Sequence, residues 1–245
     1  MNPRITLAVA GRVLTQLRRD HRTLAMLLVL PCILIALLWW MFEDMGGNLF
    51  DRVGPALLAI FPVIVMFLVT SVTTLRERSS GTLERLLSMP MGKGDFLFGY
   101  ALAFGLVAAV QSVLAVGLSV GVLGMEIDGP VWLLTVVAVT DAVLGTALGL
   151  FVSAFAQTEF QAVQFMPAVV VPQILLCGLF VPRFLLPDVL HTISDALPLS
   201  YAVDAMSNLA RSSSTVDVWQ DLAVVAGFAV AGLALGAATL RRRTA

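Results

Sequence analysis

Charge is what this sequence lacks. Only 13% of its 245 residues are Asp, Glu, Lys or Arg, against about a quarter in soluble domains. With 59% hydrophobic residues and a mean hydropathy of +0.94, the chain has too few polar groups to cover a water-facing surface, which excludes a soluble globular protein. Lysine is rarer still, Lys93 being the only one among 15 basic residues. Cysteine is nearly absent too: Cys32 and Cys177 lie in separate apolar runs with no His or Asp at ligand spacing, which reads as core packing and not as a disulfide or metal site. The two histidines, His21 and His191, fall on opposite sides of the membrane in the topology derived below, so no histidine pair holds a metal, and no paired acids face each other within the bilayer. The run "MGKGD" fails as a phosphate loop, because Leu87 stands where the first Gly is needed and Gly94 where Ser or Thr is needed. A net charge of −1 gives no sign of a nucleic-acid partner, and none is expected.

What is present is a series of long apolar runs. Crossing the hydrocarbon takes about twenty residues of helix, and six windows qualify: 24–42, 53–75, 96–123, 131–156, 160–181 and 222–240. The first follows arginines as a signal peptide would, but it is too long and "LIALLWWMFEDM" offers no small-x-small cleavage site, so it is expected to stay attached. The fifth carries Gln161, Gln164, Pro167, Pro172 and Gln173, which predicts a kinked helix facing other helices more than lipid. The expectation is one all-α integral membrane domain over residues 1–245.

Basic residues near span ends are retained on the cytoplasmic side. The N-terminal arm holds Arg4, Arg12, Arg18, Arg19 and Arg22, the segment between spans two and three holds Arg76, Arg78, Arg85 and Lys93, and the tail holds Arg241 to Arg243. The opposite segments hold only Arg52, Arg183 and Arg211. Both termini are therefore expected in the cytoplasm of a multi-pass plasma (inner) membrane protein. Trp39, Trp40, Trp132 and Trp219 then all fall at the outer interface, where amphipathic rings prefer to sit. Between spans five and six, residues 182–221 are broken by Pro182, Pro187 and Pro198 into pieces too short to span, which predicts re-entrant helices dipping into the outer leaflet.

Two segments are richer than topology requires. Residues 4–22 place Ile5, Leu7, Val9, Val13, Leu14 and Leu17 on one broad helical side and the arginines on the other, an amphipathic interfacial helix. It is either a topological stop gripping headgroups or a lever against a soluble partner. In "TLRERSSGTLERLLSMPMGKGDFL", Gly81 with Glu84 resembles a capping box, Pro90 ends the helix after about two turns, and Leu83, Leu86 and Leu87 make one apolar face. That helix either rests on headgroups or docks into another protein.

Asp141 lies near the middle of the fourth span, where an ionised carboxylate costs about 2.5 to 3.5 kcal/mol, so it is expected to face the bundle interior. It belongs either to a substrate path with Gln111 and Gln164 or to the packing, protonated or bonded to Gln111, Thr140 or Gln164. No other span has an acid at its centre, which disfavours proton-driven transport. Gly117 with Gly121, Gly145 with Gly149 and Gly232 with Gly236 allow close helix approach, which reads as packing within one bundle ahead of a subunit interface.

On these residues the chain resembles the type 2 ABC transporter permeases, whose members include daunorubicin-type drug exporters and polysaccharide exporters. The segment between spans two and three looks like the family's coupling element, carried by Arg76, Glu77, Arg78, Gly81, Thr82, Glu84, Leu86, Leu87 and Pro90, with Leu83 on its apolar face. "CGLFVPRFLLPDVLHTISDALPLSYAVDAM" looks like the family's outer re-entrant region, carried by Gly178, Pro182, Leu186, Pro187, Pro198, Leu199, Tyr201, Ala202 and Val203. Leu197 stands where Asn is common and Ser207 where a basic residue is common, departures that bear on subfamily and hence on cargo. The resemblance implies no cofactor on this chain, with ATP and Mg on separate cytoplasmic ATPase subunits, and a second permease copy or paralogue as partner. It implies ATP-driven export of a hydrophobic or amphipathic compound, or alternatively of a lipid-linked glycan. A membrane-embedded enzyme would need convergent His, acid or Cys groups at one depth, which are not found; an accessory subunit without transport of its own stays open.

Overall fold

The computed structural model describes residues 2–43, 49–80 and 92–239. Among them every regular element is helical. Helix α1 spans Pro3–Arg19. Asn2 caps it, its side chain accepting from the Arg4 N–H at 3.1 Å, and Pro3 supplies a first-turn φ already suited to a helix. The sequence places the end of this helix at residue 22, but the chain breaks at Asp20. The cause is a second cap: Asp20 accepts from the Thr23 N–H at 3.1 Å and the Thr23 hydroxyl at 2.7 Å, so Arg22 belongs to the next helix.

Among the described residues, six helices are long and apolar enough to cross a membrane. They are α2 (His21–Glu43), α3 (Leu49–Ser79), α4 (Lys93–Gly121), α5 (Val131–Val152), α6 (Glu159–Leu176) and α9 (Val216–Thr239). All six expected spans are present, and the two largest shifts of an end are in α6 and α9. Helix α6 stops at Leu176 and not at 181, because Gly178 adopts φ +94°, which only glycine takes cheaply, and turns the chain away. Helix α9 begins at Val216 and not at 222, taking the polar stretch "VDVWQD" into its first turns.

Helix α5 is the hub, packed against α3, α4, α9 and the helical residues 198–211. Its close crossing with α3 rests on glycine. A Cβ on Gly145 would stand 2.6 Å from the Val63 carbonyl oxygen, and one on Gly149 2.6 Å from that of Phe67, so the two backbones touch where side chains would otherwise hold them apart. On the other side of α5, Gly232 of α9 packs on Ala147. Both pairs thus serve packing within the bundle, whereas Gly117 and Gly121 of α4 face open space.

Helix α6 departs from expectation. It contains Pro167 and Pro172 as read, but it is not enclosed by the other described helices. It rests chiefly on α3 along a narrow stripe, burying Ala162, Val170 and Gln173, while Phe160, Val163, Val171 and Leu175 stay exposed.

Residues 183–211 break at the expected prolines into a short 3-10 turn (Arg183–Leu185), α7 (Asp188–Asp195) and α8 (Pro198–Arg211). Helix α8 is held in the core by Leu199, Ala202, Val203, Met206 and Leu209. Arg183 organises this end. Its guanidinium donates to Ser194 Oγ at 2.9 Å and pairs with Asp195 and Asp204, and it stacks over the Tyr201 ring at 5.3 Å. Burial pushes the Asp204 carboxyl up, against the opposing pull of the Arg183 charge.

Candidate functional site

The segment that sequence reasoning singles out leaves the bundle at Ser80 and returns at Gly92. Gly81, Thr82, Leu83, Glu84, Leu86, Leu87 and Pro90 lie outside the described residues, as does the Arg78 side chain. The two roots of the segment are described, and α1 lies across both.

At the outgoing root, Glu77 near the end of α3 is only 4% exposed. Arg12 of α1 donates to Glu77 Oε1 at 2.7 Å and to the Tyr100 hydroxyl of α4 at 3.0 Å, and the Tyr100 hydroxyl donates to Glu77 Oε2. One carboxylate, one guanidinium and one phenol thus tie three helices together. At the returning root, Asp95 in the first turn of α4 is likewise 4% exposed. Its carboxylate accepts from the Asn2 N–H at 2.8 Å, the Thr6 hydroxyl at 3.3 Å and the Gly92 N–H at 3.1 Å. Between the roots Gly99 lets α1 approach closely, a Cβ there falling 2.6 Å from Val9 Cγ1. Val9, Ala10, Val13 and Leu17 of α1 are buried against Phe96, Tyr100 and Phe104 of α4.

The buried face of α1 follows positions 9, 10, 13 and 17, and Leu7, placed on that face by the sequence, is instead 60% exposed. It projects about a third of a turn away from the stripe at 100° per residue. Arg76, the next charged residue of α3, does not join Glu77. It reaches Glu159 at the start of α6, with Nε at 3.0 Å and Nη2 at 3.2 Å from the two carboxylate oxygens. Sequence reasoning missed Arg12, Tyr100, Asp95 and Glu159 as partners. For Asp95 a signal existed, an acid three residues after a Gly that opens a long apolar helix.

The three residues expected along a substrate path share no hydrogen bond among the described residues. Asp141 and Gln111 are fully buried, as expected for Asp141, while Gln164 is exposed on α6 in a shallow groove with Gln157 and Gln161. Asp141 bonds none of the groups offered for it. Thr140 turns back to the Val136 carbonyl at 2.9 Å, and both Asp141 oxygens and both Gln111 polar atoms lack a hydrogen-bond partner among the described residues. An unpartnered buried polar group costs about 2 kcal/mol or more. Asp141→Leu is therefore expected to unfold at or above the wild-type temperature when followed by intrinsic fluorescence. A loss of several degrees would mean that the carboxyl has a partner in the membrane that this chain alone does not supply.

The ABC-2 type transporter family model matches residues 5–210. Among curated relatives, the inner membrane transport permease YhhJ of Escherichia coli is 29% identical over 182 residues, 74% of this chain and 48% of its own length. The probable multidrug ABC transporter permease YbhR of the same organism is 26% identical over 171 residues, 69% of this chain and 46% of its own. ABC transporter G family member 20 of Dictyostelium discoideum is 24% identical over 168 residues, 69% of this chain and 23% of its own. The chain thus spans about half the length of the two bacterial relatives and less of the third. Six helices able to cross a membrane, in one chain matched from residue 5 to residue 210, lead to one conclusion: the protein belongs to the ABC-2 type transporter family.

Proposed function

We propose that this chain is the membrane-spanning permease of an ATP-driven exporter that moves a hydrophobic or amphipathic compound outward. The observation that carries the reading is the position of α1, bonded to Glu77 at one root of residues 81–91 and to Asp95 at the other. In this proposal the segment between the roots seats a short helix, about Thr82 to Met89, in a groove of a cytoplasmic ATPase. Arg76, Glu77, Arg78, Gly81, Thr82, Leu83, Glu84, Leu86, Leu87 and Pro90 form that coupling element. A push on the segment cannot stay local, because both roots are bonded to the same helix, and α1 hands the displacement to α3 and α4 together. ATP and Mg bind the partner ATPase, two of which close on a pair of permeases, this chain with a second copy or a paralogue. The similarity to a probable multidrug permease supports an amphipathic cargo. The distribution of basic residues supports a plasma (inner) membrane topology with both termini in the cytoplasm.

The test is made in vesicles that carry the permease with its ATPase. Leu83→Asp or Leu86→Asp is expected to remove at least nine-tenths of ATP-driven transport while the ATPase still hydrolyses ATP. Glu84→Arg is expected to abolish cargo-responsive hydrolysis without unfolding the permease. Wild-type transport in all three variants would overturn the docking.

A further inference from the structure

Where α1 turns into α2, a cavity of about 350 Å³ opens between that corner, α3, α4 and α6. Its lining is graded. Along α3 it runs from Leu68 and Val72 to Thr73 and Arg76, a distance of about 12 Å at 1.5 Å per residue. Opposite, Val13 and Leu17 of α1 give way to Asp20 and Thr23, while the fully buried Phe104 of α4 adds an aromatic wall. The apolar part thus lies toward the middle of the bundle and the polar part at the end where residues 81–91 depart. A lipid of the leaflet on that side carries its chain and its head in the same order.

Both signs of charge stand at the polar end. The Thr23 hydroxyl and N–H hold the Asp20 carboxyl below its usual range, and the Arg76 charge lowers it further, so the two groups feel each other across the mouth. They do not pair. Asp20 has no cation at bonding distance among the described residues, its oxygens being turned to Thr23, and Arg76 is turned to Glu159. That contact uses two of the five N–H donors of the guanidinium, which leaves donors for a second anion. Arg18, Arg19 and Arg22 adjoin Asp20 in sequence, so a simple cation meets arginines on every side of the one carboxylate, and a simple anion meets the carboxylate.

We propose that this cavity holds a zwitterionic glycerophospholipid of the phosphoethanolamine type as a resident ligand, an acyl chain between α1, α3 and α4, its phosphate on Arg76 and its ammonium on Asp20. A head that carries both charges a few bonds apart answers both groups at once, which neither a cation nor an anion does. The chain answers the walls, since apolar groups that face a void forfeit their dispersion contacts. The volume lies at the lower end of the range for small-molecule sites, about 300 to 1,000 Å³. The lipid is a structural occupant and not a cargo, and the inference does not rest on the exporter reading. Because α1 forms one wall and also bridges both roots of residues 81–91, the lipid wedges the helix to which those roots are bonded.

Binding is measured on the whole chain in detergent, without any ATPase, by native mass spectrometry of one-to-one adducts with dioleoyl phosphatidylethanolamine and dioleoyl phosphatidylglycerol, the second keeping the phosphate and lacking the amine. The wild type is expected to hold the ethanolamine lipid about tenfold more tightly. Asp20→Asn keeps the helix cap, since Asn caps as well as Asp, and is expected to weaken the ethanolamine lipid about tenfold while leaving the glycerol lipid within about twofold. Arg76→Gln is expected to weaken both about tenfold. Glu159→Gln breaks the same ion pair but keeps Arg76, and is expected to weaken neither, which separates phosphate binding from the loss of the pair. Val72→Trp fills the cavity and is expected to abolish both saturable adducts, and deacylated glycerophosphoethanolamine in about hundredfold excess is expected to displace neither lipid. Equal wild-type affinity for the two lipids, or an Asp20→Asn variant that weakens both alike, overturns the head assignment. Adducts indifferent to Val72→Trp, or displaced by the deacylated head, overturn the seat of the chain. No ATPase or transport enters these measurements, so their failure leaves the exporter reading standing, and loss of transport leaves the lipid site standing.

Discussion

Gly145→Leu is expected to prevent the chain from reaching a stable bundle. The added Cβ would stand 2.6 Å from the Val63 carbonyl oxygen and 2.8 Å from its Cα, atoms that no rotamer change can move. The two most intimately packed helices of the bundle, α3 and α5, would have to separate along their length. Even Gly145→Ala and Gly149→Ala, each inserting one methyl into that seam, should cost about 1 to 3 kcal/mol by overpacking. Helix propensity works the other way, since replacing a mid-helix glycine by alanine gains about 0.5 to 1 kcal/mol. The clash outweighs that gain, so both substitutions destabilise. Gly117→Ala isolates the propensity gain: nothing lies within 4 Å of a Cβ there, and the variant should unfold slightly above the wild type. Thermal unfolding of the four variants in one detergent checks the ordering, and a Gly145→Ala variant as stable as Gly117→Ala would refute the close crossing.

On the proposed exporter function, Arg12→Glu is expected to cut ATP-driven transport at least tenfold. The substitution sets a second carboxylate against Glu77, which is 4% exposed, and strips the Tyr100 hydroxyl of its cationic partner. Glu77 is buried but a third of the Arg12 side chain is exposed, so the loss falls below the about 3 to 5 kcal/mol typical of a fully buried pair, the Glu77 charge still keeping its desolvation cost without compensation. Here the loss falls where α1 joins α3 and α4, so the joint should open before the bundle melts. The double variant Arg12→Glu with Glu77→Arg restores opposite charges across the same gap, and at least half of the lost transport should return. Recovery of stability without recovery of transport would assign the contact to folding alone. Transport equal to wild type in the single variant would remove α1 from the drive train.

The six crossings are legible in the sequence because hydropathy integrates over about twenty residues, and no local detail can cancel so long a signal. Residues 182–198 are legible for the opposite reason: prolines at 182, 187 and 198 each forbid continuation, and the chain breaks at each of them. The helix ends are less so. Gly178 ends α6 by adopting a positive φ, and that conformation depends on whether the following residues have a place to turn into. Asp20 ends α1 because Thr23 follows it, a short-range signal that the broader amphipathic pattern masks. The contacts at the roots of residues 81–91 are hidden by distance, with Arg12 and Tyr100 lying 88 residues apart and Arg12 and Glu77 65. Tyr100 reads as one more apolar residue of a span, and nothing in its neighbourhood marks its hydroxyl as engaged. Asp141 illustrates the remaining gap. Its burial follows from its position in an apolar helix, but its lack of a partner among the described residues depends on how α4 and α5 are rotated about their axes, which composition does not encode.

Because α1 is bonded at both points where residues 81–91 enter and leave the membrane domain, that segment together with its roots, residues 76–95, is not a freely exchangeable cassette. A transplant of 76–95 from a relative, which carries the root residues Glu77 and Asp95 with it, would arrive without the matching Asn2, Thr6 and Arg12 that hold its feet. The smallest graft that carries its own fittings joins 2–19 to 76–95. Chimeras built on that larger unit, in which the ATPase choice of one transporter is moved onto the transmembrane body of another, should keep their gearing where loop-only swaps slip.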